Sequence, residues 1–173
     1  KAVYDGAVNT VRMIVFKKDG RTPEIGNAYI RFGSKKTGAV DNVGAGGMTA
    51  AIDVETGHFH NAKIVMDNSI EDCPIHPDTG VPIDGYLPHW DKVKEDVLNV
   101  TASIKQLEWF GVDLAVTDEG IKFPEINRFP DFPAVEKYTK RTREYLLDRL
   151  LAKKRAFGYD KLPNRTLVHL PKR

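Results

Sequence analysis

Two carboxylates and a carboxamide, Asp113, Glu125 and Asn127, lie in the stretch GVDLAVTDEGIKFPEINR from Gly111 to Arg128. Two β-forming runs, Val112 to Thr117 and Ile121 to Asn127, flank Asp118-Glu119-Gly120 and predict a hairpin. Gly at the end of such a loop suits a type I turn followed by a left-handed residue. Thr117 opposite Ile121 sets a register that puts Asp113 across from Glu125. Asn127, two residues on, shares that face. Like charges directly opposite one another destabilise a hairpin unless something compensates them. A hard cation does so, and an all-oxygen ligand set selects Mg2+ or Mn2+ over zinc. Mg2+ is normally shared between a few carboxylates and phosphate oxygens, so these three side chains suffice if a nucleotide supplies the rest. The other reading of the same residues is a solvated sheet face whose carboxylates neighbour a Lys or Arg.

The elements that must position this hairpin follow from periodicity. Thr10 to Lys17 and Ile25 to Phe32 predict two strands joined by the turn Lys18 to Pro23. The length of that loop is ambiguous, so whether Arg12 and Arg31 share a face stays open. Residues 33–47, GSKKTGAVDNVGAGG, form a Gly-rich segment. Met48 to Asp53 and His58 to Met66 predict a second hairpin across Glu55-Thr56-Gly57. Residues 67–88 are polar and Pro-rich and predict a long loop, a feature that is usually functional or mobile. His89 to Trp109 predicts a helix with an apolar stripe of Trp90, Val93, Val97, Val100, Ile104 and Leu107. A second helix is predicted from Ala134 to Ala156, with Val135, Tyr138, Tyr145, Leu146 and Leu150 on its apolar side. Leu167 to Leu170 reads as a short edge strand in the tail. Three hairpins, with a helix before and after the third, predict an α+β fold: an antiparallel sheet packed with helices. The domain reading is one lobe over residues 1–156 and a tail over 157–173.

The 173 residues suffice for one domain with a real core. Hydrophobic residues make up 41% and charged residues 29%, as in ordinary globular proteins. With 26 basic and 24 acidic residues, the net charge of +2 gives no general push toward nucleic acid or membrane. No apolar run is long enough to span a bilayer. The lone Cys73 excludes an intramolecular disulfide framework and fits a reducing cytoplasm. The chain begins with Lys1, which reads as a piece of a longer polypeptide.

Other residues carry weaker signals. His58 and His60 alternate on a strand and could share a face as ligands, but no Cys or third His lies near them in sequence, which argues against zinc. His76, His89 and His169 read as surface residues, and Trp90 and Trp109 as core. Pro124 removes a ladder donor beside Glu125. The basic run from Lys137 to Arg155 is interspersed with Glu136, Glu144 and Asp148 and reads as a solvated helix face.

Taken together, the motifs resemble the ATP-grasp superfamily. An Asp followed along a hairpin by Glu125-Ile126-Asn127 is similar to its metal-binding signature. Asn9-Thr10-Val11-Arg12 resembles the start of its Arg-bearing strand. Tyr29-Ile30-Arg31, followed by Asp41-Asn42-Val43-Gly44-Ala45-Gly46-Gly47, resembles the Arg and the Gly-rich loop that cover the reacting phosphate. With IDVETG at 52–57 and HPDTGVP at 76–82, the order is most similar to the ATP-grasp family associated with sugar transfer. The resemblance runs from about Asn9 to Pro130.

The resemblance implies an ATP- and Mg2+-dependent carboxylate–amine ligase with an acyl phosphate intermediate, and a place in polysaccharide or cell-surface biosynthesis. It implies Asp113, Glu125 and Asn127 as metal ligands. Arg12 and Arg31 are implied on the transferred phosphoryl group, and Arg128 on the substrate carboxylate. Asn42, Gly44, Gly46, Gly47 and Phe123 are implied around the nucleotide, although core packing also suits Phe123. Its phosphate-binding lysines belong to a lobe ahead of the Arg-bearing strand. The expected partners are therefore ATP, a small carboxylate, an amine, and that N-terminal lobe or a partner chain supplying it. The competing reading is a non-catalytic relic lobe that binds a protein or polyanion.

Overall fold

The structure, a computed structural model, describes residues 3–41, 43, 46–66, 69–117, 119–130 and 138–158. The strands form where apolar and β-branched residues alternate: β1 (Val11–Phe16), β2 (Glu24–Phe32), β3 (Met48–Ile52) and β4 (His58–Met66). After these come β5 (Ser69–Asp72), β6 (Gly85–Tyr86), helix α1 (Trp90–Ala102), β7 (Trp109–Thr117), β8 (Gly120–Asn127) and helix α2 (Lys140–Ala156). Among the described residues the eight strands make one sheet in the order β5-β4-β3-β2-β1-β7-β8, with β6 paired to the start of β4 on the side where β5 joins it farther along. Every strand pair is antiparallel. The α+β expectation is what the chain adopts.

The chain divides into two compact units, Lys1–Thr139 and Lys140–Arg173. In the first, one face of the sheet carries Val11, Met13, Val15, Ala28, Ile30, Phe32, Met48, Ala50, Ile52, Phe110, Val112 and Leu114 into a single core with Trp90, Val93 and Val97 of α1. Burying each such valine contributes roughly 1.5–3 kcal/mol. Trp90 Nε1 donates to the Val54 carbonyl at 2.8 Å, which ties the start of α1 to the β3–β4 turn. Gly57 in that turn has φ +76, and a Cβ there would lie 2.5 Å from Trp90 Cγ, so the close approach requires Gly.

Several predicted elements shift. Helix α1 ends at Ala102, well short of Trp109. Thr101 Oγ1 turns back to the Val97 carbonyl, and Lys17 of the neighbouring strand end draws in the chain beyond by donating to the Ile104 carbonyl and, from its amide, to the Glu108 carbonyl. Trp109 therefore opens β7, opposite Phe16. Val100 is exposed, and Thr101 completes the buried stripe in its place. The predicted loop 67–88 contains β5, β6 and a bridge between Ile75 and Pro82. His76 is buried there: Nε2 pairs with the Gly33 carbonyl at 2.9 Å, Nδ1 accepts from Asp78 N, and Tyr4 stacks on the ring. It is a packed core histidine rather than a surface one. In the second unit α2 begins at Lys140, six residues later than expected. Thr142 and Tyr145 are its buried residues, while Leu150 is exposed. Val135, His169 and the strand expected at 167–170 lie outside the described residues.

The β1–β2 turn is built on Asp19, whose carboxylate accepts from Arg21 N, Thr22 N and Thr22 Oγ1. These bonds, those from Thr22 foremost, lower its pKa from 3.8 to about 2. A depressed folded-state pKa stabilises above the unfolded value and loses that contribution as pH falls. Asp19→Ala should lower the melting temperature near neutral pH. The gap from wild type should narrow between pH 3.8 and about 2, as followed by circular dichroism melts.

Candidate active site

The site face is the side of the sheet away from α1, and it is built on register. Arg12 of β1 pairs with Asp113 of β7 on one side and Tyr29 of β2 on the other. Asp113 pairs in turn with Glu125 of β8, and Tyr29 with Ala51 of β3. Arg31, two residues after Tyr29, shares the face. The open question about the two arginines is thereby answered.

Asp113 joins them. Arg12 Nε donates to Asp113 Oδ1 and Arg12 Nη2 to Oδ2, each at 2.5 Å, a bidentate pair. Arg31 Nη2 reaches the same Oδ2 at 2.9 Å. Arg31 also donates to Thr10 Oγ1, from Nε at 3.0 Å and Nη2 at 2.5 Å, and lies 3.6 Å from Asp41 Oδ2. Asp41 accepts from Thr10 N at 2.8 Å and from Thr10 Oγ1. Arg12 and Asp113 are both buried. The hydrogen bond to Asp113 is the main cause raising the Arg12 pKa above its ordinary value, against the lowering effect of burial. Burial raises the Tyr29 phenol, opposed by Arg12. Two guanidiniums and two carboxylates thus form one network across three strands and the loop that begins at Asp41.

The expected hairpin register is reached by a different route. Val116, not Thr117, stands opposite Ile121, which by itself would misalign Asp113. A bulge between Asp113 and Ala115, opposite the Lys122-to-Glu125 stretch that contains Pro124, restores the Asp113–Glu125 pair. A residue with no N–H fits such an interruption of the ladder. The bulge also separates neighbours in sequence. Phe123 packs against the main core, while Glu125 is exposed opposite Asp113.

The remaining predicted residues fall as follows. Asn127 pairs with Gly111, and its Oδ1 accepts from Phe129 N at 2.9 Å. Arg128 is exposed, its guanidinium 4.9 Å from the Phe129 ring centre. Gly46 has φ +96, and a Cβ there would lie 2.9 Å from the Lys36 side chain. Its carbonyl accepts from Ser34 Oγ at 3.2 Å. Gly47 is buried beside it at the entry to β3. Asn42 and Gly44 lie outside the described residues.

Sequence reasoning missed Thr10, Tyr29, Asp41 and Thr49 as members of this face. Tyr29 had a signal, since it is two residues from Arg31. Asp41 enters the sequence reading only as the first residue of the Gly-rich motif, and its contacts with Thr10 and Arg31, both distant in sequence, had no signal. Thr49 pairs with Arg31 on one side and Lys63 on the other. It is 2% exposed, and its Oγ1 lacks a hydrogen-bond partner among the described residues.

An antiparallel sheet backed by a helix, with an Arg-bearing strand and an Asp–Glu–Asn hairpin on its other face, has the architecture of an ATP-grasp lobe. The family comparison agrees: residues 1–136 match the sugar-transfer associated ATP-grasp model, and the chain belongs to that family. Its general chemistry is ATP-dependent and of the ligase type. Neither a curated protein nor a solved structure matches the chain. Among the described residues, no helix is long and apolar enough to cross a membrane.

Removing Asp113 leaves two guanidiniums without their shared counter-charge. Asp113→Ala should cost about 3–5 kcal/mol in urea unfolding. A loss below about 1 kcal/mol, the scale of exposed pairs, would refute the shared-carboxylate account. Thr49→Val should behave oppositely. Removing an unpaired buried hydroxyl without changing shape should leave stability unchanged or raise it, by up to about 1–3 kcal/mol in the same assay.

Proposed function

We propose that this chain is the metal-binding, catalytic lobe of an ATP- and Mg2+-dependent carboxylate–amine ligase acting in polysaccharide or cell-surface biosynthesis. The observation carrying this reading is the cross-strand row Glu125–Asp113–Arg12–Tyr29, in register on one sheet face of an ATP-grasp family member. The family's printed association with sugar transfer supports the biosynthetic setting.

The donor set suits Mg2+. Glu125 is exposed and pairs with no cation among the described residues. Asn127 adds an amide oxygen, and Asp113 Oδ1 accepts one bond, which leaves it a lone pair. Among the described residues no group of three or more His, Cys, Asp or Glu is placed to hold a metal. An ion here thus needs the amide and phosphate oxygens, as Mg2+ ordinarily does. Glu125, Asn127 and Asp113 would hold it. When bound, Mg2+ supplies charge neutralisation for the β- and γ-phosphate oxygens of ATP.

The protein's own groups do the rest by position and charge. Arg31, only partly buried, directs its guanidinium toward phosphoryl oxygens, and Arg12 holds Asp113 in place beside it. Gly46 and Gly47 let backbone approach the phosphates. The substrate carboxylate, held by Arg128, attacks the γ-phosphorus and displaces ADP, giving an acyl phosphate. The amine then attacks the acyl carbon, and phosphate leaves. The lysines for the α- and β-phosphates come from an N-terminal lobe or a partner chain.

With that lysine-bearing lobe joined to this chain, Glu125→Gln should abolish Mg2+-dependent phosphate release from ATP without altering the fold. Unchanged turnover in this variant would overturn the enzymatic reading. Loss of partner binding on charge reversal from Lys140 to Lys154, with Glu125 dispensable, would favour the relic binding module instead.

A further inference from the structure

The site face extends well beyond the arginines. The row that begins at Glu125 continues through Tyr29 and Ala51 to His60 of β4. A bulge between Thr49 and Ala51, where Asn61 takes φ +54, lets both His60 and Lys63 share this face while Phe59 and Ala62 enter the core. His58 follows on the same face, and Tyr86 of β6 pairs directly opposite it. The three rings make a ladder. His60 and His58 lie 5.1 Å apart between centroids at 30°, and His58 and Tyr86 4.8 Å apart at 26°. Tyr86 is 70% exposed, so His58 covers one side of its ring and the other is open. Asp84 Oδ1 holds His58 Nε2 at 3.1 Å and is itself exposed.

We infer that the open ring of Tyr86, with Asp84 beside it, is a carbohydrate-ring subsite at the end of the site face opposite the metal ligands. This rests on the ATP-grasp reading and adds to it the class of substrate. A pyranose presents a face of axial C–H groups with partial positive charge, and the face of an aromatic ring is negative. Its hydroxyls donate to a carboxylate, and Asp84 keeps one oxygen beyond the one that bonds His58. The His58–Asp84 bond and the stacking of His58 on Tyr86 hold the platform, so less side-chain entropy remains to be lost on binding. Four strand spacings separate Asp113 on β7 from His60 on β4, roughly 19 Å along the sheet. That span lets a sugar-bearing substrate lie on the ladder while its reacting group reaches the arginines. A nucleobase is the rival occupant, because bases also stack on aromatic faces, and the test below separates the two. The family's association with sugar transfer points the same way.

The test is saturation-transfer NMR on the full chain, with N-acetylglucosamine, galactose and glucuronic acid as separate probes. At least one should show transfer to its ring C–H protons. Tyr86→Ala should weaken its binding about tenfold, the scale of one aromatic contact plus its buried area. Tyr86→Phe should keep the signal and Asp84→Asn should reduce it. Tyr86 is exposed, so these variants fold. Glu125→Gln should leave the sugar signal intact, which separates this subsite from the nucleotide chemistry. Transfer to none of the sugars, or a signal unchanged in Tyr86→Ala, would overturn the inference. So would a Tyr86→Ala variant that loses only ATP affinity, since the occupant would then be the nucleobase.

Discussion

Two guanidiniums share one buried carboxylate at the centre of this sheet, and much of the molecule's polar architecture follows from that. Arg12 is buried with Asp113 receiving two of its N–H groups in a planar fork, the largest support for its charge, and Tyr29 adds to it. A charge taken out of water without such a partner is too costly to keep. The pair also constrains topology. Its members are directly opposite on β1 and β7, and Arg31 reaches in from β2, so three central strands are locked in one relative register. A slip by one residue would turn Arg12 into the α1 core and a valine out of it.

The same network divides labour on the proposed reading. Asp113 Oδ2 accepts from both arginines, whereas Glu125 opposite it has no cationic partner among the described residues. The carboxylate freest to take a metal is therefore the exposed one, and the buried one works mainly on the arginines. Arg31 belongs partly to Asp113 and partly to Thr10 and Asp41, and Asp41 starts the Gly-rich loop. Asp41 and the Arg31 guanidinium are thus linked both directly and through the Thr10 hydroxyl.

Strand identity was legible because it depends on local alternation. His58–Met66 was predicted to the residue, and the strands expected at 10–17 and 25–32 to within one residue at each end. The Asp113–Glu125 pairing was also expected, yet its route was not, because period-two counting carries no bulges. Three interruptions decide which side chains reach the site face: after Ile14 opposite the Gly26 region, at Asn61, and beside Pro124. Pro124 and the αL residue Asn61 are the only local hints. Without them Phe123 and Glu125 count as same-face neighbours, and His60 and Lys63 as opposite-face ones. The end of α1 was misjudged for a related reason. The apolar period runs on into Ile104 and Leu107, but tertiary bonds from Lys17 to the Ile104 and Glu108 carbonyls claim that stretch for the approach to β7. The Asp41–Thr10 contact was not legible, because only the folded chain brings the two together.

The bulges matter for how a ligand must lie. Each strand contributes one side chain per row, so the polar row from Glu125 to His60 runs across the strands rather than along any of them. A ligand touching both ends must cross the sheet, passing over Tyr29 and the small Ala51, the two buried residues that form a separate apolar patch on this side. Alanine at that crossing leaves room that a bulkier residue would fill. The two ends are also farther apart than the 7–10 Å within which substitutions usually couple. Side chains at the Glu125 end and at the Tyr86 end can therefore be altered independently unless a bound molecule spans them. Coupling between the two ends that appears only with substrate present would itself measure that bridge.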